Sequence, residues 1–149
     1  NQKAEALGLG DTRFADPIGL SRHNVSTARE VAKLAQVALA VPEIRSATAR
    51  STYSFTTLEG RAKEIESTDD LLFTSGGIEI LGGKTGYTDE AGYCYVGYMR
   101  GPDGREVISA VLGSDSRSDR FRASRDLAQW ALDYYDWIGL PVRPKNKQQ

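Results

Sequence analysis

The segment 93-YCYVGYMRGPDGREVISAVL-112 indicates the fold class of this chain. Its two halves, Tyr93–Arg100 and Glu106–Leu112, are rich in Val, Ile and Tyr, which favour β-strands. Between them lies Gly101-Pro102-Asp103-Gly104, and these residue types are typical of a tight turn. The segment therefore predicts an antiparallel hairpin.

A core-facing helix is predicted N-terminal to this hairpin. Thr27 followed by Glu30 has the spacing of a capping box, in which each side chain binds a free backbone N–H of the first turn. Apolar residues then recur at helical spacing, namely Val31, Leu34, Ala35, Ala38 and Leu39. We expect Pro42 to end this helix, because its ring clashes with the preceding turn.

The region between this helix and the central hairpin is expected to be mostly extended. Residues 52–56 favour a strand, and Glu59-Gly60 predicts a hairpin turn. Leu71-Leu72-Phe73 predicts a short apolar anchor. The glycines that follow predict a loop over Gly76–Gly83.

A second helix is predicted near the C-terminus, with Ser118 or Asp119 as its N-cap. Helical spacing predicts one apolar face, formed by Leu127, Trp130, Ala131, Tyr134 and Ile138. Residues 143–149 are polar and are expected to form a frayed tail. Helices at both ends with strands between them indicate an α+β fold, an antiparallel sheet covered by helices.

The composition excludes several classes of function. The 149 residues carry 19 Lys+Arg and 20 Asp+Glu, a net charge of -1, which argues against a nucleic-acid groove or a polybasic membrane surface. Cys94 is the single cysteine, so an internal disulfide and a multi-cysteine zinc site are excluded. No apolar run approaches the roughly 18 residues of a membrane span. Because the first residue is Asn1, we expect the chain to have been cut from a longer protein.

Gly82-Gly83-Lys84-Thr85-Gly86 is the strongest candidate for chemistry. A phosphate-binding loop would need glycine at position 78, which is Ile78, and a helix after the motif. The alternative use of Lys-Thr-Gly is acyl transfer by a serine enzyme, in which the triplet lies on a strand beside the active site. A cation and a hydroxyl on such a strand can bind a substrate carboxylate. The glycine lets a ligand backbone approach closely.

The wider context of this triplet resembles the D-alanyl-D-alanine carboxypeptidases, the low-molecular-mass penicillin-binding proteins. The matching segments are Gly83–Thr88, Ala91–Cys94, Phe14–Leu20, Ser26–Ala28, Val107–Gly113 and Arg120. Of these, Phe14–Leu20 is close to the N-P-x-G-L loop of the family. The resemblance runs from Asn1 to about Trp137. It implies that residues 1–149 form the C-terminal part of a single D,D-peptidase catalytic domain, with a penicillin-binding-protein/β-lactamase-like transpeptidase fold.

Two motifs of that family are absent from this sequence. None of the six lysines has Ser three residues earlier, and none of the three asparagines has Ser two residues earlier, so both S-x-x-K and S-x-N are missing. The nucleophilic serine is therefore expected upstream, and the isolated chain is expected to be inactive. Two smaller departures are Ser67-Thr68-Asp69-Asp70, where the family often has asparagine, and Tyr87, which is His in some members.

The resemblance implies a role for each candidate residue. Lys84 would supply positive potential and help proton transfer, and Thr85 would bind the terminal carboxylate of a D-Ala-D-Ala stem peptide. Gly86 would let that peptide approach, and the Tyr87 backbone N–H would complete an oxyanion hole. Arg120 would bind the carboxylate or hold Thr85 in place. The implied partners are this peptide, β-lactam antibiotics and the missing N-terminal part of the domain, with no nucleic acid, metal or organic cofactor. The implied location is extracytoplasmic.

Several alternatives stay open at this point. The first alternative is a serine β-lactamase-like hydrolase, which shares Lys-Thr-Gly, although the N-P-x-G-L-like loop favours the peptidase. The second is a non-catalytic domain that binds peptidoglycan or a protein partner, which the missing nucleophile would suit. Arg122 and Arg125 are expected on a solvated helix face. Ser21 and His23 lack the pattern of a hydrolase triad. Cys94 is expected to be a buried small hydrophobe.

Overall fold

A computed structural model of the protein describes residues 1–74 and 76–135. The helices are α1 (Gln2–Ala6), α2 (Ala28–Leu39), α3 (Pro42–Thr48) and α4 (Arg117–Tyr134), with a short 3₁₀ helix at Asp70–Phe73. The strands are β1 (Thr52–Thr56), β2 (Ala62–Glu66), β3 (Glu79–Thr88), β4 (Gly92–Arg100) and β5 (Glu106–Ser114). The predicted α+β arrangement is confirmed.

The main sheet has the strand order β3-β4-β5, and both pairings are antiparallel. The predicted central hairpin is confirmed as β4 and β5, in which Arg100 lies opposite Glu106. Its turn is closed by a hydrogen bond of 2.8 Å from the Gly101 N–H to the Arg105 carbonyl. This order leaves β3 at one edge of the sheet within the part of the chain that the structure describes.

The core lies between this sheet and α4. Its buried side chains are Leu71, Tyr95, Met99, Phe121 and Ala128. The Tyr95 and Phe121 rings meet edge to face, with centroids 5.1 Å apart. Burial of each large apolar side chain stabilises the fold by about 1.5–3 kcal/mol, so this layer holds α4 on the sheet.

Helix α2 begins as predicted, but Glu30 does not complete a capping box. The Thr27 hydroxyl accepts the Glu30 N–H at 3.3 Å. The Glu30 carboxylate instead accepts the Asp11 N–H at 3.1 Å and the Thr12 hydroxyl at 2.5 Å. The second half of the prediction is therefore wrong, because a tertiary contact with the preceding loop takes the carboxylate away from the helix end.

Pro42 begins a helix that the sequence pattern did not predict. Helix α2 ends at Leu39, before the proline as expected, and α3 starts at Pro42 itself. The first position of a helix suits proline, since its N–H would have no partner there. Helix α3 then packs against β3.

The predicted loop over Gly76–Gly83 is wrong in its second half, because Glu79–Gly83 belong to β3. Strand β3 has an irregularity between Ile80 and Gly82. A Cβ atom on Gly82 would lie 2.7 Å from the Thr48 hydroxyl, which is closer than real Cβ contacts allow. The glycine serves the close approach of α3 to the strand and is not a sign of a loop.

The second β-hairpin joins β1 to β2, with the turn at the predicted position. Gly60 has a φ of +79°, which suits glycine, and its N–H donates to the Thr57 carbonyl at 2.9 Å. All ten strand residues of this hairpin are exposed. The hairpin therefore projects from the sheet and core without adding to them.

Helix α4 differs from its prediction in cap and in orientation. Ser116 is the N-cap, and its hydroxyl accepts the Asp119 N–H at 3.1 Å. The predicted apolar face includes Leu127, Trp130 and Tyr134, which are exposed. The buried face is instead formed by Arg120, Phe121, Ser124, Ala128 and Leu132.

The small residues on α4 explain which face is buried. Ser124 and Ala128 are 0% and 1% exposed, so they allow the helix axis to come close to the sheet, which a bulky tryptophan would prevent. Ile138 and the polar tail at 143–149, which the sequence analysis singled out, lie outside the described residues. None of the helices within the described residues is both long enough and apolar enough to cross a membrane.

Candidate active site

The Lys-Thr-Gly triplet lies within the edge strand β3. Lys84 and Gly86 are exposed, and Thr85 is half-buried. Thr85 pairs with Tyr95 and Lys84 pairs with Val96, so the two side chains point to opposite faces of the sheet. The hydroxyl therefore shares the face of α4, and the lysine lies on the other face with its ammonium group bonded to the Thr85 carbonyl.

The Thr85 hydroxyl contacts a second hydroxyl, that of Thr68. The two oxygen atoms are 2.6 Å apart, and either can donate the hydrogen bond. Thr68 immediately precedes Asp69, the N-cap of the 3₁₀ helix. The loop between β2 and β3 thus contacts β3 at Thr85, the central residue of the Lys-Thr-Gly triplet.

A buried acid–phenol pair lies behind this contact. The Tyr95 hydroxyl donates to Asp69 Oδ2 at 2.7 Å, and Asp69 Oδ1 accepts the Leu71 N–H at 3.0 Å. Burial raises the pKa of Asp69, although the Tyr95 hydrogen bond opposes the shift. Burial, together with the Asp69 charge, raises the pKa of Tyr95. A Cβ atom on Gly83 would lie 2.8 Å from the Tyr95 hydroxyl, so glycine is required for this packing.

Arg120 is buried beneath the same strand, with 4% of its surface exposed. Its Nη1 donates to the Gly86 carbonyl at 3.1 Å and to the Cys94 carbonyl at 3.4 Å. The guanidinium carbon lies 4.5 Å from the Phe121 ring centroid and 5.5 Å from that of Tyr93. Burial, followed by the charge of Arg117, lowers the pKa of Arg120. The guanidinium therefore ties β3 to β4 directly beside the triplet.

The other arginines of α4 pair with side chains at the surface. Arg117 binds both carboxylate oxygens of Asp70, at 3.1 and 2.6 Å. Arg122 pairs with Asp119 at 2.6 Å with its side chain 73% exposed, which confirms the predicted solvated face there. Arg125 is half-buried and donates to the exposed Thr74 hydroxyl at 2.6 Å, so it lies partly on the predicted solvated face.

Tyr87 follows the triplet with 52% of its surface exposed. Its ring centroid lies 4.3 Å from that of Tyr93, and its hydroxyl donates to Asp89 at 2.8 Å. This hydrogen bond raises the pKa of Tyr87. The side chain is thus turned along the strand toward Asp89, and the predicted role of its backbone N–H stays a prediction.

A cavity of about 570 Å³ lies between the end of β3 and the loop that resembles N-P-x-G-L. Its lining includes Phe14 and Gly19 from that loop, Gly86–Thr88 from β3, and Cys94. The fold thus brings together two segments that the sequence analysis connected only by resemblance. Cys94 was predicted to be a buried small hydrophobe, but it is half-buried at this cavity, so the predicted burial is wrong.

Ser21 and His23 form no catalytic pair. The Ser21 hydroxyl accepts the backbone N–H of His23 at 3.2 Å, and the residue His23 is exposed. Asp16 accepts backbone N–H groups from Ile18 and Gly19 and binds the Ser21 N–H as well. These hydrogen bonds stabilise the loop, and the Ser21 hydroxyl serves a local turn.

Sequence reasoning missed Thr68, Asp69 and Tyr95 as neighbours of the triplet. The available signal was the stretch Ser67–Asp70, which stood out only as a departure from an asparagine-containing pattern. Two adjacent acids before a buried Leu71 indicate a carboxylate near the core, which needs a hydrogen-bond donor. That the donor is a tyrosine on β4 depends on strand register, which was not predicted.

Comparisons with known proteins agree with this geometry. A family model described as D-alanyl-D-alanine carboxypeptidase matches residues 1–116. The chain is 34% identical to a D-alanyl-D-alanine endopeptidase of Pseudomonas aeruginosa, over 97% of this chain and 46% of the relative. It is 37% identical to a D-alanyl-D-alanine endopeptidase of Escherichia coli K12, over 87% of this chain and 42% of the relative. The chain thus spans less than half the length of these two relatives.

The solved structures give the same result at the level of the fold. The crystal structure of the Streptomyces K15 DD-transpeptidase superposes with a TM-score of 0.77 at 30% identity, covering 89% of this chain and 52% of that one. The predicted penicillin-binding-protein-like fold is confirmed by this likeness.

Proposed function

The chain belongs to the D-alanyl-D-alanine carboxypeptidase family. We propose that it supplies the Lys-Thr-Gly edge of a serine-type peptidase that removes the terminal D-Ala from peptidoglycan stem peptides. The observation that carries the proposal is the position of Lys84 and Thr85 on the edge strand β3, with the guanidinium of Arg120 bonded to the next carbonyl. An edge strand can accept an extended peptide beside it.

The proposed recognition step fixes the carboxylate of the terminal D-Ala. Thr85 donates its hydroxyl hydrogen to this carboxylate. Arg120 supplies positive potential from the same face of the sheet, and Lys84 supplies it from the other face, where its ammonium is bonded to the Thr85 carbonyl. Charge-assisted hydrogen bonds are stronger than neutral ones, which suits the binding of one small anion in a fixed place. Gly86 leaves room for the peptide backbone next to the strand.

The proposed chemical step is acyl transfer to a serine that lies outside this chain. The serine oxygen attacks the carbonyl carbon of the penultimate D-Ala. The serine proton is taken up through a proton relay in which Lys84 assists. The C–N bond breaks, the released D-Ala amine gains a proton, and water then hydrolyses the ester. The Tyr87 N–H and the serine N–H would stabilise the oxyanion.

This proposal implies the same partners and location as the family resemblance. The domain acts outside the cytoplasmic membrane, where its peptide substrate lies, and β-lactams acylate the same serine. Residues 1–149 are then the C-terminal part of one catalytic domain, and the remaining part brings the S-x-x-K and S-x-N motifs.

A second candidate, endopeptidase activity, is favoured by the two relatives that carry that name. The bond broken would again follow D-Ala, but the leaving group would be the amine of a second stem peptide and not free D-Ala. Incubation of the full-length protein with a crosslinked peptide dimer and with a pentapeptide distinguishes the two, because only the pentapeptide releases free D-Ala.

A fluorescent penicillin tests the proposed division of the domain. We expect the purified 149-residue chain to form no covalent adduct, because it has no serine beside a lysine base. The full-length protein should gain the mass of one penicillin on a serine of an S-x-x-K motif.

Two results would contradict this. A stoichiometric adduct on the 149-residue chain would place the nucleophile within residues 1–149. A full-length protein that forms no adduct and cleaves neither peptide would instead support a non-catalytic binding domain.

A further inference from the structure

We infer that Thr68 is a positioning residue, whose hydroxyl orients that of Thr85 toward the substrate carboxylate. The inference rests on the proposed function, since it assigns Thr68 a part in the carboxylate recognition proposed for Thr85. Its direct basis is the 2.6 Å contact between the two hydroxyl oxygens.

The backbone of Thr68 is held on both sides. The Ser67 N–H donates to the Ser51 carbonyl at 2.7 Å, and the Ser67 hydroxyl accepts the Asp69 N–H at 3.1 Å. Asp69 is 3% exposed, and its two oxygens accept from Leu71 and Tyr95. Thr68 is itself exposed, but it projects from a segment whose neighbours are both anchored.

The same tyrosine fixes both ends of the hydroxyl contact. Tyr95 holds Asp69 beside Thr68, and Tyr95 also lies directly opposite Thr85 in the pairing of β3 with β4. Cross-strand neighbours on one face have Cβ atoms about 5 Å apart. Thr68 and Thr85 are thus placed against each other by a side chain that is 1% exposed.

The chemistry of a hydroxyl gives this contact a direction. Thr85 has one hydrogen to donate and two acceptor sites. If it donates to Thr68, it has none left for a carboxylate. When Thr85 donates to the substrate, Thr68 must therefore be the donor to Thr85. A hydroxyl that accepts a hydrogen bond is polarised and becomes the better donor.

Thr68→Val tests the inference, because valine keeps the branched shape and removes the hydroxyl. In the full-length protein we expect kcat/KM toward a peptide ending in free D-Ala to fall about three- to tenfold, the range of one net hydrogen bond. The same peptide with a C-terminal amide should be unaffected. Thr68→Ser keeps the hydroxyl and should restore the wild-type ratio of the two substrates.

A second measurement does not depend on turnover. Side-chain scalar couplings of Thr85 in solution should report a single χ1 rotamer in wild type and in Thr68→Ser, and averaging over rotamers in Thr68→Val. These couplings can be measured even if the protein cleaves no substrate.

The outcomes separate the two hypotheses. A wild type that binds no penicillin and cleaves no peptide refutes the proposed function, and averaging of Thr85 in Thr68→Val then still supports the contact itself. Equal losses on the acid and amide substrates, or an unchanged Thr85 rotamer in Thr68→Val, would overturn the role of Thr68.

Discussion

The two β-structures of this protein have similar residue types and opposite surroundings. In β4, Tyr95 and Met99 are 1% and 0% exposed. In β1, Tyr53 and Phe55 are 49% and 40% exposed, although they also share one face of their strand. Aromatic and β-branched residues favour extended backbone in both places. Within the described residues α2, α3 and α4 pack on the three-stranded sheet, whereas every strand residue of the hairpin is exposed.

Strand formation and burial therefore have separate causes. The exposed hairpin is held by the antiparallel backbone pairing of β1 with β2 and by the Ser54 hydroxyl, which donates to Glu64 across the strands at 2.8 Å. Tyr53 and Phe55 stack on each other along β1, with centroids 6.0 Å apart. A two-stranded hairpin of this kind is marginally stable alone. In the sheet, the core and the candidate site share a residue, because Tyr95 is part of the core and its hydroxyl also donates to Asp69.

The largest difference between the two regions should be in stability. We expect Phe121→Ala to lower the free energy of unfolding by about 3–5 kcal/mol, because it leaves a cavity against Tyr95. Phe55→Ala on the hairpin removes the same ring and should cost about 0.5 kcal/mol, as for surface positions. Urea unfolding midpoints of both variants measure this. Similar losses would mean that the hairpin is part of the core.

The next effect compares two arginines that each lie 5.5 Å from a tyrosine ring centroid. Arg120→Ala in the full-length protein should lower kcat/KM toward a peptide substrate about ten- to a hundredfold, since each 1.4 kcal/mol is tenfold. An ester substrate without a free carboxylate should lose much less. Arg50→Ala, beside Tyr53 on the exposed hairpin side, is the control and should change neither rate.

The ratio of the two losses decides the role of Arg120. Selective loss on the peptide means that Arg120 acts on the carboxylate. Equal losses on peptide and ester would show that its hydrogen bonds to the Gly86 and Cys94 carbonyls serve only to hold the strands together.

The smallest effect concerns the pH dependence of stability. Burial raises the pKa of Asp69, so the folded state retains its proton over a range where the unfolded state has lost it. Stability should therefore fall as the pH rises from the unfolded value, about 3.9, through the raised folded value. In Asp69→Asn this contribution is absent, and unfolding free energies measured over that range should decline less. An equal decline in Asp69→Asn would show that another group causes the dependence.

Local patterns predicted the elements of this fold better than their packing. The β4–β5 hairpin, the start of α2 and the turn at Gly60 each depend on a few adjacent residues, and each was predicted. The buried face of α4 was not, because Trp130 satisfies the helical spacing but Ser124 and Ala128 fit closer to the sheet. Glu30 satisfied a local rule and was used for a distant contact with Asp11.

The candidate site divides in the same way. Lys84, Thr85 and Gly86 form a contiguous motif, so their joint presence on one strand could be predicted. Arg120 was connected to them by resemblance, and the fold places its guanidinium on the Gly86 carbonyl. Thr68 has no sequence pattern that joins it to Thr85, since the contact depends on how the loop between β2 and β3 packs against the edge strand.

The packed glycines behind the site have a consequence for mutational scanning. A Cβ atom on Gly97 would lie 2.7 Å from both Met99 and the Tyr95 ring, and one on Gly83 would lie 3.0 Å from Asp69. Most substitutions at either position would displace Tyr95 before they altered any reacting group. A scan that scores only activity would assign both glycines to catalysis, whereas a parallel measure of protein abundance would assign their loss of fitness to misfolding.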